Sequence, residues 1–461
     1  MTERIVVGSS VAALVTAQSL AERGERARLL MPPGPPGGGF GSIRSGGRAL
    51  ELGVRLLELS YEQAAPPPPL SSYQPGPAGH RPYAMLVRDH LEALLGSRLT
   101  EVRRPQMLFD GRVVDDLYFT TDATALRTAL TSTQRAEIRT EALACQASTG
   151  SGAGVLAPEL IDRLDTLTLE EASLLNHGES FHRLFMAPVA NKIVAGGCTD
   201  VIAALRRKIW LPLFWPQTLA QAAGDGDISF APERPFHTIA GGGSGELVAG
   251  LIERLDELGV VMDSLGALEG IETGASGLTR LSMANGDVIE AARPVIGVSA
   301  GQLFGAAGID YQPEAARTVI CWLEVADDDL LDLPSLLNVV DADIPALRLS
   351  SGGLGAPGRT ILTVELRHDT EESEIASAAM KSVEQMSILR PGAEMVELRS
   401  GAIRSFPLPT HANAQRFEAA SAAFAERNID AEIVGAGLQF GADALGEQII
   451  QGLRAAEVLT A

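Results

Sequence analysis

Lysine is almost missing from this chain of 461 residues: only Lys192, Lys208 and Lys381 occur, and the other basic groups are arginines. That scarcity leaves little room for Schiff-base or lysine-base chemistry. Cysteine is as sparse. Cys145, Cys198 and Cys321 are scattered without metal-ligand spacing, which argues for buried free thiols and against a structural zinc site. Positive charge is in deficit too. The formal net charge is -21, whereas binding nucleic acid by counterion release needs Lys and Arg facing phosphate. The same balance disfavours a broadly anionic membrane surface. No apolar run approaches bilayer length, and no basic-then-apolar leader precedes the first apolar segment, so the expectation is a cytoplasmic protein with no transmembrane segment. There is no convincing Ser-His-Asp or paired-carboxylate constellation. His177, His182 and His237 lack metal spacing and read as hydrogen-bonded structural groups.

What is present suits a two-domain globular protein. Hydrophobic residues make up 46% of a chain too long for one simple core. Residues 1 to about 60 read strand, helix, strand and a Gly/Pro-crowded loop. The run "QAAPPPPLSSYQPGPAGHRPY" at 63–83 reads as an exposed polyproline-like connector. Helical periodicity returns at "VRDHLEALLGSRL", around 123–131 and at 158–175. A Gly turn, a helix ("ELVAGLIERLDELG") and short strands follow from 236 to about 297. Residues 316–368 alternate like antiparallel strands. Beyond them lie a helix near 370–389, a strand at 395–403, a helix at 414–427, the strand "AEIVGAG" and a terminal helix. No repeat with a period of about 20–50 residues is apparent.

The first segment carries the chemistry. The apolar run Ile5–Val7 leads into a small-residue turn and a helical stretch, with Gly8, Ser10 and Ala13 at the three positions of a G-x-G-x-x-G fingerprint. Ser10 replaces the middle glycine but is small, so a phosphate at the helix N-terminus, over Ser9, Ser10, Val11 and Ala12, stays open. Met31 stands where an acidic ribose ligand is expected. Read alone, the turn fits a nucleotide site or a plain strand–helix–strand packing unit.

The next loop, "GGGFGSIRSGGRALELG", places Gly38 and Gly39 after the second strand and ends in Glu51-Leu52-Gly53. Here the sequence resembles the flavoprotein family of amine oxidases, protoporphyrinogen oxidases, carotenoid desaturases and UDP-galactopyranose mutases. The resemblance implies that the loop backbone faces FAD phosphates. Phe40 replaces the family's arginine, leaving Arg44 to supply the charge. "AGGGSGELVAGLIERLDELGVVMDSLGALEGIE" resembles the family's Gly-Gly turn, helix and adenine-side strands, with Leu268 at the adenine. "VGAGLQFGADALGEQIIQGLRAAEVL" resembles the closing flavin motif, with Gly435, Ala444 and Leu445 beside the cofactor and Ala436 in place of its acid. The motifs are degenerate one by one, but their order spans the chain.

The resemblance implies noncovalent FAD, since no flavinylation motif appears. The lack of a second fingerprint argues against a nicotinamide coenzyme. It implies an α/β fold: a Rossmann-type FAD-binding domain from 1–60, 236–300 and 420–461. Interleaved with it is an α+β substrate domain with a mixed or antiparallel sheet, from 61–235 and 301–419. Arg206, Arg207, Trp210 and Trp215 could hold an anionic, partly apolar small-molecule substrate; a core helix with a solvated basic edge is the bland reading. Arg55 either faces the flavin or is an ion-paired surface group. The implied activity is an FAD-dependent oxidoreductase, desaturase- or dehydrogenase-like, that removes a hydride. A mutase-like enzyme using reduced flavin without net redox change, or a non-catalytic flavin-binding protein, are the alternatives. Homo-oligomerisation is left open.

Overall fold

The helix Val11–Glu22 decides the architecture, because it is buried on every side from Val11 to Leu20. A helix apolar all round cannot lie on a surface; it needs a sheet beneath and further helices above. In this computed structural model, which describes residues 3–53, 56–59, 66–76, 81–120, 122–149, 166–227 and 236–461, it has both. A parallel sheet lies beneath it, with strand order Val261–Ser264, Ala27–Met31, Arg4–Val7, Val295–Ile296, Glu432–Ile433. The helices Ser244–Glu257 and Leu445–Thr460 pack against it. Strand order reverses at Arg4–Val7. In open α/β sheets such a switch point, at the carboxyl ends of the strands, is where a crevice forms.

The crevice is crowded by backbone. Gly8 has φ +117°, and a Cβ there would lie 2.3 Å from the carbonyl oxygen of Gly297. A Cβ on Gly452 of the terminal helix would lie 2.7 Å from the Ala12 carbonyl oxygen. The Gly297 carbonyl fills the space a side chain on Gly8 would take.

An antiparallel layer, Leu268–Thr273, Thr279–Met283 and Val288–Ala291, joins the other side of the parallel sheet through Ile5, Val7, Leu30 and Ile296. The second large sheet has seven strands, ordered Val396–Pro407, Ala315–Ala326, Arg359–Leu366, Ala346–Ser351, Leu336–Val339, Gln106–Phe109, Arg112–Asp115. It is mixed: Leu336–Val339 pairs parallel with Gln106–Phe109, and its other neighbours are antiparallel. Period-two alternation sends Leu362, Val364 and Leu366 to the face under the helix Ile375–Gln385. Thr363 and Glu365 go to the other face, which is buried and mixed, with Ile361, Ile320 and Trp322 beside them. Lys192 stitches this sheet from behind, donating to the carbonyls of Val339, Asp341 and Ala346 at 2.7–2.9 Å. Its burial lowers its pKa to about 7. A helical part spanning 132–149, 169–193 and 216–223 surrounds Phe181, Phe185 and Phe214.

The fold class is as expected, a Rossmann-type parallel domain interleaved with an α+β part carrying a mixed sheet. Packing differs from the expected boundaries in two places. The helix Ala84–Leu95 sends Val87, Leu91 and Leu95 into the core of the parallel sheet, although 61 was the expected border. The helix His411–Glu426 likewise packs Phe417 against Phe304, with ring centroids 5.5 Å apart. "AEIVGAG" is a strand only at Glu432–Ile433, and 123–131 forms only short turns of helix. In the Pro-rich connector, residues 63–65 and 77–80 lie outside the described residues, as do 158–165 of the expected helix.

Replacing Gly8 by alanine should cost about 2 kcal/mol or more, from a strained φ plus a backbone clash. The shift in urea midpoint measures it; a loss under about 0.5 kcal/mol, the usual size at an unconstrained surface site, would show that the strands can part.

Candidate functional site

Ser10 is the N-cap of the first helix, its Oγ accepting from the Ala13 amide at 3.3 Å. The amide of Ala12 donates to Gln448 Oε1 at 3.3 Å. Val11 begins the helix, and its amide has no acceptor among the described residues. A glycine turn faces this N-terminus: a Cβ on Gly435 would lie 3.4 Å from Ser10 Oγ. The triple-glycine loop arrives from the other side, where Gly37 donates to the Ser9 carbonyl at 2.7 Å. Cβ atoms built on Gly38 and Gly39 would meet nothing within 4 Å. Thus Gly8, Ser9, Ser10, Val11, Ala12, Gly38, Gly39 and Gly435 cluster around one helix N-terminus, where backbone N–H groups and the helix dipole favour an anion.

The remaining expected cofactor residues are placed less uniformly. Met31 and Phe40 lean on the core around the first helix, while Leu268 is buried beneath the antiparallel layer. Ala444 caps the terminal helix and Leu445 is its first residue. Arg44 was expected to supply charge to a phosphate; its guanidinium instead pairs with Glu246 at 3.0 Å on the surface.

The loop that follows joins the two sheets. Glu51 is buried, and its Oε2 accepts from Ser244 Oγ at 2.8 Å and from the Ser244 amide at 3.2 Å. The site is the first turn of the helix Ser244–Glu257, where the dipole favours a carboxylate. The Glu51 carbonyl accepts from Trp322 Nε1 at 2.8 Å. Arg48 grips Glu324 with two bonds, at 2.7 and 2.9 Å, and Arg359 approaches the same carboxylate at 3.1 Å. The Arg48 bonds hold Glu324 down at about 2. Between this loop and the buried sheet face lies a small cavity of about 10 Å³, room for about one water. Glu51, Thr238, Ser335, Ser350 and Ser351 line it along with three glycines, and Leu56 is its one larger apolar residue. Thr363 pairs with Ser350 across the sheet; its buried hydroxyl has no partner among the described residues.

The segment Ala203–Ile209 lies over the closing motif, with Leu205 against Gly441 and Lys208 paired with Asp443. Lys208 Nζ also sits 5.7 Å from the centre of the Phe406 ring. Burial lowers its pKa to about 8, with Glu447 pulling the other way. This lysine closes the basic run that the sequence offers for an anionic substrate, but its pairing with Asp443 is not legible there. Arg206 donates to the carbonyl of Ala203 at 2.7 Å, and Arg207 is half-buried. Trp210 is 44% exposed at φ +63° and stacks on Phe119, with centroids 4.7 Å apart. Trp215 caps the helix Pro216–Ala223 and packs near Ala172 and Ala203. Arg55 lies outside the described residues.

His177 is structural. Its Nε2 accepts from the Phe214 amide at 2.8 Å, and Nδ1 lies 2.9 Å from Ser173 Oγ. Among the described residues no group of three potential metal ligands forms, and no helix is long and apolar enough to cross a membrane.

This layout has known counterparts. A crystal structure of reduced UDP-galactopyranose mutase superposes with TM-score 0.72 at 15% identity, covering 100% of this chain and 94% of that one. A putative protoporphyrinogen oxidase from Exiguobacterium gives 0.63 at 16% identity, covering 99% and 98%. A putrescine oxidase redesigned in its cofactor binding gives 0.59 at 14%, covering 99% of each chain. The likeness establishes the fold. No protein-family model matches the chain, and no curated protein matches it.

Burial lowers the pKa of His177 from 6.5 to about 3. Below pH 6.5 the unfolded chain takes up a proton that the folded imidazole refuses, so stability falls on acidification. From pH 7 to 5 this one group should remove about 2 kcal/mol. His177→Gln should flatten the pH dependence of the urea midpoint by that amount, and equal slopes in the two proteins would contradict the assignment.

Proposed function

We propose that this chain is a cytoplasmic FAD-dependent oxidoreductase acting on a small or medium organic substrate. The observation that carries the reading is the convergence on one helix N-terminus of Val11, the open Gly38–Gly39 loop and the Gly435 turn, within a fold shared along its whole length with the mutase and the two oxidases. The donor set fits a diphosphate: backbone amides at a helix N-terminus, approached by glycines. It fits a ribose less well, because Met31 offers no hydrogen bond at the usual position. Bound flavin would supply the hydride acceptor. The chain would supply orientation and exclusion of water: the seven-stranded sheet on one side, the segment from Arg206 to Trp215 on another. We place the FAD-binding part at 1–60, 236–300 and 420–461, extended by the packing of 84–95 and 411–426, and the substrate part in the remainder.

A second reading is a mutase-like enzyme using reduced flavin without net redox change, kept open by the superposition on reduced UDP-galactopyranose mutase at TM-score 0.72.

Purified protein should be yellow or take up added FAD, and should release it on denaturation. Colourless protein that takes up none would overturn both readings and leave a scaffold without catalysis, the direction in which Ser10, Met31, Phe40 and Ala436 point. Turnover that requires prior reduction of the flavin, with no net electron transfer, would select the mutase-like reading.

A further inference from the structure

The terminal helix, Leu445–Thr460, carries two buried glutamines one turn apart, Gln448 and Gln451. Each carboxamide bridges two backbone groups of other segments. Gln448 Oε1 accepts from the Ala12 amide at 3.3 Å, and its Nε2 donates to the Asp443 carbonyl at 3.0 Å. Gln451 Oε1 accepts from the Gly435 amide at 2.6 Å, and its Nε2 donates to the Ala442 carbonyl at 2.8 Å. The two amides so engaged are no ordinary pair. Ala12 is in the first turn of the first helix, and Gly435 opens the turn that faces that helix across Ser10. Within that first turn, Ala13 is already answered by Ser10 Oγ and Leu14 by the Ser10 carbonyl. First-turn amides have no partner inside a helix, and phosphate oxygens are their usual external acceptors.

A carboxamide oxygen offers the same lone pairs without the charge. We propose that Gln448 and Gln451 are an internal surrogate for the diphosphate. They satisfy one donor on each wall of the crevice, Ala12 and Gly435, and an incoming dinucleotide displaces Gln448 from Ala12. Gln448 is the one to yield, because its bond is the longer, whereas Gln451 stays to hold the Gly435 turn. Breaking the Ala12 bond and rotating one buried side chain are then part of every binding event. The site accordingly binds more weakly than one whose first turn is free. The displacement half of the proposal rests on the FAD reading; the surrogate half does not.

The test uses the full chain, freed of flavin, as wild type, Gln448→Met, Gln448→Ala and Gln451→Met. Methionine keeps the length and packing of glutamine while removing the acceptor. Backbone hydrogen exchange is read first, without FAD. The Ala12 and Gly435 amides should be protected in wild type. The Gln448 variants should exchange Ala12 about tenfold faster, and Gln451→Met should do the same at Gly435, the scale of one lost hydrogen bond. FAD titration by absorbance follows. Gln448→Met should bind about tenfold more tightly than wild type, because the competing acceptor is gone. Unchanged exchange at Ala12, or weaker FAD binding by Gln448→Met, would overturn the proposal. If FAD binds to neither protein, the functional reading and the displacement fall together, while the exchange rates still decide whether the glutamines act as the surrogate.

Discussion

Three stretches of backbone must touch for this molecule to exist. Gly8 at the end of the first strand meets Gly297 at the end of its neighbour, and Gly452 of the terminal helix meets the carbonyl of Ala12. Any side chain at these points would push the parallel sheet or the helix pair apart by more than packing tolerates. With the gap closed, the first helix is held between the sheet and the terminal helix. That geometry brings Gln448 within reach of Ala12 and the Gly435 turn opposite Ser10.

The second organising contact is the joint between the two large sheets. Arg48, Glu324 and Arg359 form a partly buried charged cluster, flanked by the Trp322 bond to Glu51 and by paired amides of Ala49 and Leu354 at 3.0 Å. Removing one member of such a cluster leaves a desolvated charge unpaired, which costs far more than the pair contributes. Its value here is positional. It fixes the sheet whose buried face carries Ser350, Thr363 and the Arg348–Glu365 pair.

Much of the fold could be read from the chain because the relevant signals are local. Period-two alternation in 316–368 and helical spacing at 244–257 and 445–460 survive whatever packs around them. The order of the glycine turns placed three distant pieces on one sheet. What was not legible shares a cause: it depends on partners set by the tertiary fold. Nothing near Arg44 in sequence points to Glu246, and nothing near Lys208 points to Asp443. The close contact at Gly8 comes from Gly297, nearly three hundred positions away in the chain. Gln448 and Gln451 drew no notice, since glutamine on a helix is ordinary until its acceptors are known. The apolar stripe of Ala84–Leu95 is legible in the chain, but the core it enters is not.

The threading of the parallel sheet also sets the order in which the protein can be made. Arg4–Val7 and Ala27–Met31 leave the ribosome early, but the edge strand Glu432–Ile433 and the helix that covers Val11–Glu22 come last. At translation rates of about 5–20 residues per second, that interval lasts roughly 20–80 s. Throughout it, a helix apolar on every side has a cover on only part of its surface. The nascent chain therefore carries an incompletely covered apolar helix until the helix that covers it has been synthesised.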